Sequence, residues 1–160
     1  MATTMGAVEN REFRSGFVTF IGRPNAGKST LINKIMGKKI AITSNTAQTT
    51  RHRFRAVLTR EDSQLILVDT PGLHKPHDAL GEELNTSALK ALEDVDVVAM
   101  LIDSAKEVGR GDEWVAAQLA TCRAKRILVL SKCDLATSEQ IEAQRKAAAD
   151  LCNWDKILVC

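Results

Sequence analysis

Apolar residues alternate along the chain between short runs, which are typical of buried strands, and longer periodic patterns, which are typical of helices. The short apolar and β-branched runs predict strands at residues 16–21, 53–60, 64–68, 95–102, 126–130 and 156–159. The periodic patterns predict helices at residues 28–36, 82–92, 112–122 and 137–152. The run at 95–102 is almost continuously apolar, as expected of a strand covered on both faces of a sheet.

The order of these elements predicts an α/β fold of the P-loop NTPase type, with a mostly parallel sheet. Strands separated by helices imply right-handed crossovers, which place helices on both faces of the sheet. Only a short polar turn separates the strands at 53–60 and 64–68, so they should form a hairpin that adds one antiparallel strand at an edge. Ligands of such sheets bind at the carboxyl ends of the strands.

Local sequence signals predict where helices begin and end and where the domain begins. Gly37 should end the first helix, and Asp112 is the predicted N-cap of the third. Thr137 and Gln140 have the spacing of a capping box at the start of the fourth. Residues 1–15 are mixed polar without periodicity and are interpreted as a flexible leader, which leaves residues 16–160 as one domain.

The amino-acid composition indicates the class of protein but does not indicate a function. The 160 residues are 44% hydrophobic and 26% charged, which is typical of one globular domain. A net charge of +2 gives no argument for a nucleic-acid or membrane surface. No apolar run approaches the ~18 residues of a spanning helix, so membrane association is expected to be peripheral at most. Four cysteines without a C-x-x-C pair predict reduced thiols in a cytoplasmic protein.

The residues after the first predicted strand match the phosphate-binding pattern G-x-x-x-x-G-K-[ST]. The matching residues are Gly22, Arg23, Pro24, Asn25, Ala26, Gly27, Lys28 and Ser29, and Thr30 follows on the helix. Glycines let consecutive backbone N–H groups point at phosphate oxygens, and the helix N-terminus adds its positive dipole end. Lys28 should contact the β- and γ-phosphates, and the Ser29 hydroxyl should ligate Mg²⁺.

A second motif follows the third predicted strand and consists of Asp69, Thr70, Pro71 and Gly72. We expect Asp69 to hold Mg²⁺, through water, and the Gly72 amide to approach the γ-phosphate closely. Leu73 comes next and is assigned to the same nucleotide site. A strand followed by Pro-Gly is an ordinary turn in isolation, but downstream of a phosphate loop it indicates nucleotide binding.

A polar segment at residues 43–51 separates these two motifs and has no hydrophobic periodicity. A hydroxyl in this segment could complete the Mg²⁺ shell and sense the γ-phosphate, as in loops that order around that group and are released on hydrolysis. Thr50 is the preferred candidate and Thr49 the alternative. The segment could instead be a solvated loop.

The end of the fifth predicted strand carries Ser131, Lys132, Cys133 and Asp134, close to the guanine-recognition pattern N-K-x-D. A carboxylate at Asp134 would accept from the N1–H and the exocyclic amine of guanine, whereas adenine would leave it unpaired. Ser131 stands where the pattern has Asn. It keeps a hydroxyl but loses the reach of the amide, so we expect guanine affinity to be weaker by about 1–2 kcal/mol without loss of specificity.

Taken together, the motifs resemble those of the Era family of bacterial ribosome-assembly GTPases. The resemblance is carried by GRPNAGKSTLIN at residues 22–33, AQTTRHR at 47–53 and DTPGLHKP at 69–76. It implies a slow GTPase that uses Mg²⁺ and acts as a switch in small-subunit assembly. Family members carry a C-terminal KH domain that binds the 3′ end of small-subunit ribosomal RNA. The chain has no counterpart of it and looks truncated before the last guanine-contact motif, so RNA and the ribosomal subunit are expected partners of a longer protein.

The resemblance also bears on catalysis. Leu73 holds the place of the water-orienting glutamine of Ras-like GTPases. In relatives with an apolar residue there, an asparagine matching Asn25 helps to bind K⁺ beside the phosphates; the alternative role of Asn25 is a loop-stabilising amide. The implied catalytic set is Lys28, Thr50, Gly72 and Asn25, without a general base.

Two other functions compete with a GTPase switch. One is a nucleotide-gated binding scaffold with negligible hydrolysis, which Leu73 favours. The other is an ATPase or small-molecule kinase, which Asp134 disfavours. The three histidines, His52, His74 and His77, are interpreted as solvated loop residues.

Overall fold

The structure is a computed structural model, and it describes residues 12–37, 54–68, 73, 77 and 79–160. The strands are β1 (Arg14–Gly22), β2 (Phe54–Thr59), β3 (Ser63–Val68), β4 (Val97–Asp103), β5 (Lys125–Ser131) and β6 (Lys156–Val159). The helices are α1 (Lys28–Met36), α2 (Ala79–Glu93), α3 (Arg110–Leu119) and α4 (Ser138–Ala149). A short 3₁₀ turn, Cys133–Leu135, lies between β5 and α4.

The strands form one six-stranded sheet in the order β2-β3-β1-β4-β5-β6. β2 runs antiparallel to β3 at one edge, and every other neighbouring pair is parallel. The predicted fold class is confirmed. Because β1, β4 and β5 are parallel neighbours, the residues that follow them meet at one edge of the sheet, where the phosphate loop and the 131–134 motif were both predicted.

Alternation along β4 shows how the two faces of the sheet are filled. Met100 and Ile102 belong to the larger core cluster, together with residues of α2 and α3. Ala99 and Leu101 point the other way and belong to a second cluster, against which Leu31 of α1 packs. Helices therefore cover both faces, and the apolar run of β4 is explained by its double burial.

An aspartate precedes each of two parallel strands and joins it to its neighbour. The N–H of Asp96, before β4, donates to the carbonyl of Phe17 at 2.9 Å, and its carboxylate accepts from the N–H of Phe17 at 2.7 Å. Asp155, before β6, makes the same pair of contacts with Arg126, at 2.8 and 2.8 Å. Each aspartate satisfies a backbone donor that the next strand does not reach, and so sets where strand pairing begins.

The start of β1 differs from the prediction. The strand begins at Arg14, so Arg14 and Ser15 pair with Ser63 and Gln64 of β3 and do not belong to a leader. The N–H of Arg14 also donates to the carbonyl of Asp62 at 3.0 Å, in the turn between β2 and β3. Pairing with the hairpin extends the strand beyond the apolar run from which it was predicted.

The start of α3 is a second correction. Asp112 is not the N-cap, because α3 begins at Arg110 and Gly109 occupies the cap. Asp112 is the third helical residue, and its carboxylate reaches back to accept from the N–H of Gly109 at 3.0 Å. Since glycine has no side chain to cap the helix, this return contact serves the free backbone donor at the helix start.

The predicted capping box of α4 is confirmed. The N–H of Gln140 donates to the Thr137 hydroxyl at 3.2 Å, and the Gln140 amide oxygen accepts from the N–H of Thr137 at 2.8 Å. The helix ends at Ala149, three residues before the predicted end. The indole N–H of Trp154 donates to the carbonyl of Ala148 at 2.9 Å, which satisfies one acceptor of the last turn.

Replacing Asp96 by Ala should lower the free energy of unfolding by about 1–2 kcal/mol, because the N–H of Phe17 loses its carboxylate acceptor. Asp96→Asn retains an oxygen at the same place and should lose less than half as much. Urea unfolding of both variants measures the difference. Equal loss in the two variants would contradict the role given to the acceptor.

Candidate nucleotide site

Two glycines give the phosphate loop its shape between β1 and α1. Gly22 has a φ of +151° and Gly27 a φ of +93°. A Cβ on Gly22 would lie 2.6 Å from the carbonyl oxygen of Leu101 in β4, a distance that no side chain tolerates. The loop then turns tightly, with the N–H of Ala26 donating to the carbonyl of Arg23 at 3.2 Å. The pattern G-x-x-x-x-G is therefore required by backbone angle at both ends and by close packing at the first.

The Lys28 side chain folds back into this loop. Its ammonium donates to the carbonyl of Gly22 at 2.8 Å and to that of Arg23 at 2.9 Å. Burial lowers the pKa of Lys28 below its usual 10.5. An ammonium has three N–H donors, so these two contacts leave one for a ligand. The group is thus held at the loop and remains able to bind an anion.

The start of α1 adds to the positive potential at the loop. Gly27 is its N-cap, without a side-chain cap, and the first turn carries no acidic residue. Ser29 and Thr30 lie exposed in this first turn. Free backbone donors and the positive end of the helix dipole favour an anion here.

Ser131, at the end of β5, is turned inward towards the phosphate loop. Ser131 is 5% exposed, and its hydroxyl lies 2.6 Å from the carbonyl oxygen of Ala26 and 3.2 Å from that of Ile102. A hydroxyl has one proton to donate, so the shorter contact to Ala26 dominates. The residue at the Asn position of the pattern therefore joins β5 to the loop.

Lys132 makes a second link between the same two segments. It has a left-handed backbone, with φ +57°, and its ammonium donates to the carbonyl of Asn25 and, at 2.8 Å, to the carboxylate of Asp103. Asn25 is itself left-handed, with φ +64°. Two residues in a conformation that few non-glycine residues adopt thus face each other across the site.

Asp103 holds the Lys132 ammonium in place. Burial alone would raise the pKa of Asp103, but the hydrogen bond from Lys132, the N–H of Ala105 at 3.0 Å and the charges of Lys132 and Lys106 together lower it below its usual range. The carboxylate is therefore ionised at neutral pH and pairs with Lys132. Asp103 was not predicted, although its place at the carboxyl end of β4 could have suggested it.

Cys133 and Asp134 point in different directions from the 3₁₀ turn. The Cys133 thiol donates to the carbonyl of Leu130 at 3.4 Å and lies 3.3 Å from the Ser104 hydroxyl, so it faces inward. Asp134 is exposed. The arrangement places the predicted guanine-reading carboxylate at the surface.

Several predicted site residues lie outside the described part of the chain. They are Thr50 with its alternative Thr49, and Asp69, Thr70, Pro71 and Gly72. Leu73 is described: it is 2% exposed and belongs to the main core cluster, as Val68 does, and its assignment to the nucleotide site stays a prediction. His77 is exposed.

The predicted Mg²⁺ ligands can be tested only at Ser29. Ser29 lies exposed in the first turn of α1, and hydroxyl and carboxylate oxygens are the ligands that Mg²⁺ prefers. The donor type fits the ion. Within the described residues, no group of three or more His, Cys, Asp or Glu side chains could hold a metal by itself.

Replacing Ser131 by Ala should lower the free energy of unfolding by about 1–2 kcal/mol, because the carbonyl of Ala26 would lose a donor at a buried position. Thermal or urea unfolding without nucleotide measures the loss. Ser131→Thr keeps the hydroxyl and serves as the matched control. If Ser131→Ala were as stable as the parent chain, the contact to the loop would contribute nothing.

None of the helices in the described segments is both long and apolar enough to cross a membrane.

Comparison with known proteins agrees with the resemblance read from the motifs. GTPase Era of Mycolicibacterium smegmatis is 45% identical over 150 residues, which cover 92% of this chain and 50% of the relative. GTPase Era of Clostridium perfringens is 50% identical over 129 residues, which cover 81% and 44%. The chain thus spans about half the length of the curated relatives it matches.

A solved structure has the same fold. It is Era in complex with MgGDPNP and nucleotides 1506–1542 of 16S ribosomal RNA, at a TM-score of 0.72 and 29% identity, covering 92% of this chain and 51% of that one. Residues 17–132 match the family described as 50S ribosome-binding GTPase. This match runs through most of the chain, from β1 to the end of β5, and the chain belongs to that GTPase family.

Proposed function

We propose that this domain binds Mg²⁺·GTP and hydrolyses it slowly to GDP and phosphate, as a conformational switch. The observation that carries the proposal is the joining of Ser131 and Lys132 to the phosphate loop. A phosphate loop by itself serves ATP as well as GTP. A loop bonded to a motif that ends in an exposed Asp134 combines phosphate binding with the means to read guanine.

The phosphate half of the site would work through fixed donors. The loop backbone and the N-terminus of α1 attract the phosphates, and Lys28 retains one N–H for the β- or γ-phosphate. Since its ammonium is already held by the carbonyls of Gly22 and Arg23, little reorganisation is needed on binding. Ser29, with Thr50 and Asp69, would hold Mg²⁺, which supplies charge neutralisation on the phosphates when bound.

The base half would work through Asp134. Its carboxylate can accept from the two donors of guanine, whereas adenine presents none in that place, and an unpaired carboxylate costs on the order of several kcal/mol. Lys132 is positioned by Asp103 and by the loop, so the motif residue before the turn has a fixed orientation. Selection of guanine is thus assigned to Asp134, and rigidity of the motif to Ser131 and Lys132.

The ribosomal role is proposed for a longer protein that contains this domain. The relatives are named GTPase Era, and one of them has been solved with a GTP analogue and a fragment of 16S ribosomal RNA. A KH domain beyond the matched half would contact small-subunit RNA, and the GTP state of this domain would time release from the subunit. The cysteines among the described residues are free thiols, which fits a cytoplasmic location.

Titration with fluorescent GDP, competed by GTP, ATP and GMP, tests the guanine assignment. GTP should compete and ATP should not, because only guanine pairs with Asp134. In Asp134→Ala the affinity for GDP should fall by at least about 30-fold, corresponding to the loss of two charge-assisted hydrogen bonds. Equal competition by ATP, or unchanged affinity in Asp134→Ala, would contradict the proposal.

The role of Asn25 is tested by steady-state phosphate release in K⁺ and in Na⁺. We expect K⁺ to stimulate hydrolysis and Asn25→Ala to abolish the stimulation, because the amide oxygen would contribute to a cation that stabilises charge on the phosphates. Binding of GDP, measured in parallel, should change little. Unaltered K⁺ dependence in Asn25→Ala would contradict this role, and negligible turnover in both salts would favour the binding scaffold.

A further inference from the structure

Arg23, the second residue of the phosphate loop, extends its side chain away from the loop and over the start of α3. One guanidinium nitrogen, Nη1, donates to the carboxylate of Asp112 at 3.4 Å. The Arg23 side chain is 49% exposed and that of Asp112 is 5% exposed. The pair therefore links a surface arginine to a buried carboxylate in a different element.

Two glycines at the start of α3 lie against the Arg23 side chain. A Cβ on Gly111 would lie 3.3 Å from both Cδ and Nε of Arg23, and one on Gly109 would lie 3.5 Å from Nη1. Neither glycine has a positive φ. Backbone conformation does not require glycine at these positions. At Gly111 a Cβ would be held tightly against the Arg23 side chain, whereas at Gly109 it would make an ordinary van der Waals contact.

Asp112 is well suited to receive this arginine. Its carboxylate accepts from the N–H of Gly109 at 3.0 Å, which fixes its orientation at the helix start. A buried carboxylate is costly unless it is hydrogen-bonded and paired with a positive charge. Val108, the residue before Gly109, is tied to α4, because its N–H donates to the side-chain oxygen of Gln144 at 2.9 Å. The start of α3 is therefore a fixed anchor.

The backbone of Arg23 supports the interior of the phosphate loop. Its carbonyl accepts from the Lys28 ammonium at 2.9 Å and from the N–H of Ala26 at 3.2 Å. A side chain anchored to α3 thus restrains the peptide that holds both Lys28 and the loop turn.

We propose that Arg23 is a positioning residue, which keeps the phosphate loop in its binding shape by anchoring it to Asp112 at the start of α3. The inference rests on the proposed function insofar as the ligand is a nucleotide. Arg23 has no contact with the reacting atoms in this account and acts through Lys28 and the loop backbone.

A double-mutant cycle tests the anchor through GDP affinity. Asp112→Asn removes the charge but keeps an oxygen for Gly109, so α3 keeps its return contact. Arg23→Ala and Asp112→Asn should each weaken GDP binding by about fivefold, as expected of a half-exposed pair, and the double variant should be no weaker than the weaker single variant. Arg23→Lys should recover part of the loss. Unchanged affinity in Arg23→Ala, or additive losses, would overturn the proposal.

Amide hydrogen exchange in the nucleotide-free chain provides a readout that does not depend on guanine binding. Exchange at Ala26 should be about tenfold faster in Arg23→Ala, while β4 amides are unchanged. Gly111→Leu should have the same effect, because even its Cβ would lie 3.3 Å from Cδ and Nε of Arg23, although leucine favours a helix more than glycine does. Unaltered exchange at Ala26 in both variants would overturn the proposal. Failure of the parent chain to bind GDP would instead overturn the proposed function.

Discussion

The hydrogen bond from the Ser131 hydroxyl to the carbonyl of Ala26 is the contact on which the candidate site depends. It joins two motifs that are 105 positions apart in sequence, and the Lys132 ammonium repeats the link at Asn25, across 107 positions. Each motif alone has an ordinary interpretation, as a glycine-rich turn or a strand end. Bonded together, they join the loop to the end of β5, from which the turn with the exposed Asp134 continues.

The sheet makes this contact possible. β1, β4 and β5 lie side by side and parallel, so Gly22, Asp103 and Ser131 end their strands at the same edge. The loop passes so close to β4 that the Leu101 carbonyl excludes any side chain at Gly22. A serine hydroxyl at 131 is long enough to reach the loop because the backbones are already close. Ser131 therefore contacts the loop although it stands at the Asn position of N-K-x-D, and we expect any loss of affinity to arise at the base.

Much of the fold could be predicted because buried positions recur in the sequence as a periodic pattern of apolar residues. The double burial of β4 produces a continuous apolar run, and the Thr137–Gln140 capping box depends only on neighbours in sequence. Contacts between segments that are distant in sequence produce no such local pattern. Asp112 was misplaced for a local reason, because its carboxylate reaches back to Gly109, which has no side chain to cap the helix. The strand start at Arg14, by contrast, depends on pairing with the distant hairpin. The Lys132–Asp103 pair was missed for the same reason, since the partner comes from a different strand.

The central claim is that the base motif and the phosphate loop form one structural unit. Its most direct test is the affinity of Ser131→Ala for inorganic pyrophosphate, measured by competition against fluorescent GDP. Replacing Ser131 by Ala does not change the charge of the site, and pyrophosphate contains no base. A change in pyrophosphate affinity therefore cannot come from altered charge or from a lost contact to guanine. The account predicts that pyrophosphate binding weakens by about threefold or more, because the loop loses its bond to β5. Unchanged pyrophosphate affinity together with weaker GDP binding would contradict it and would limit Ser131 to the base.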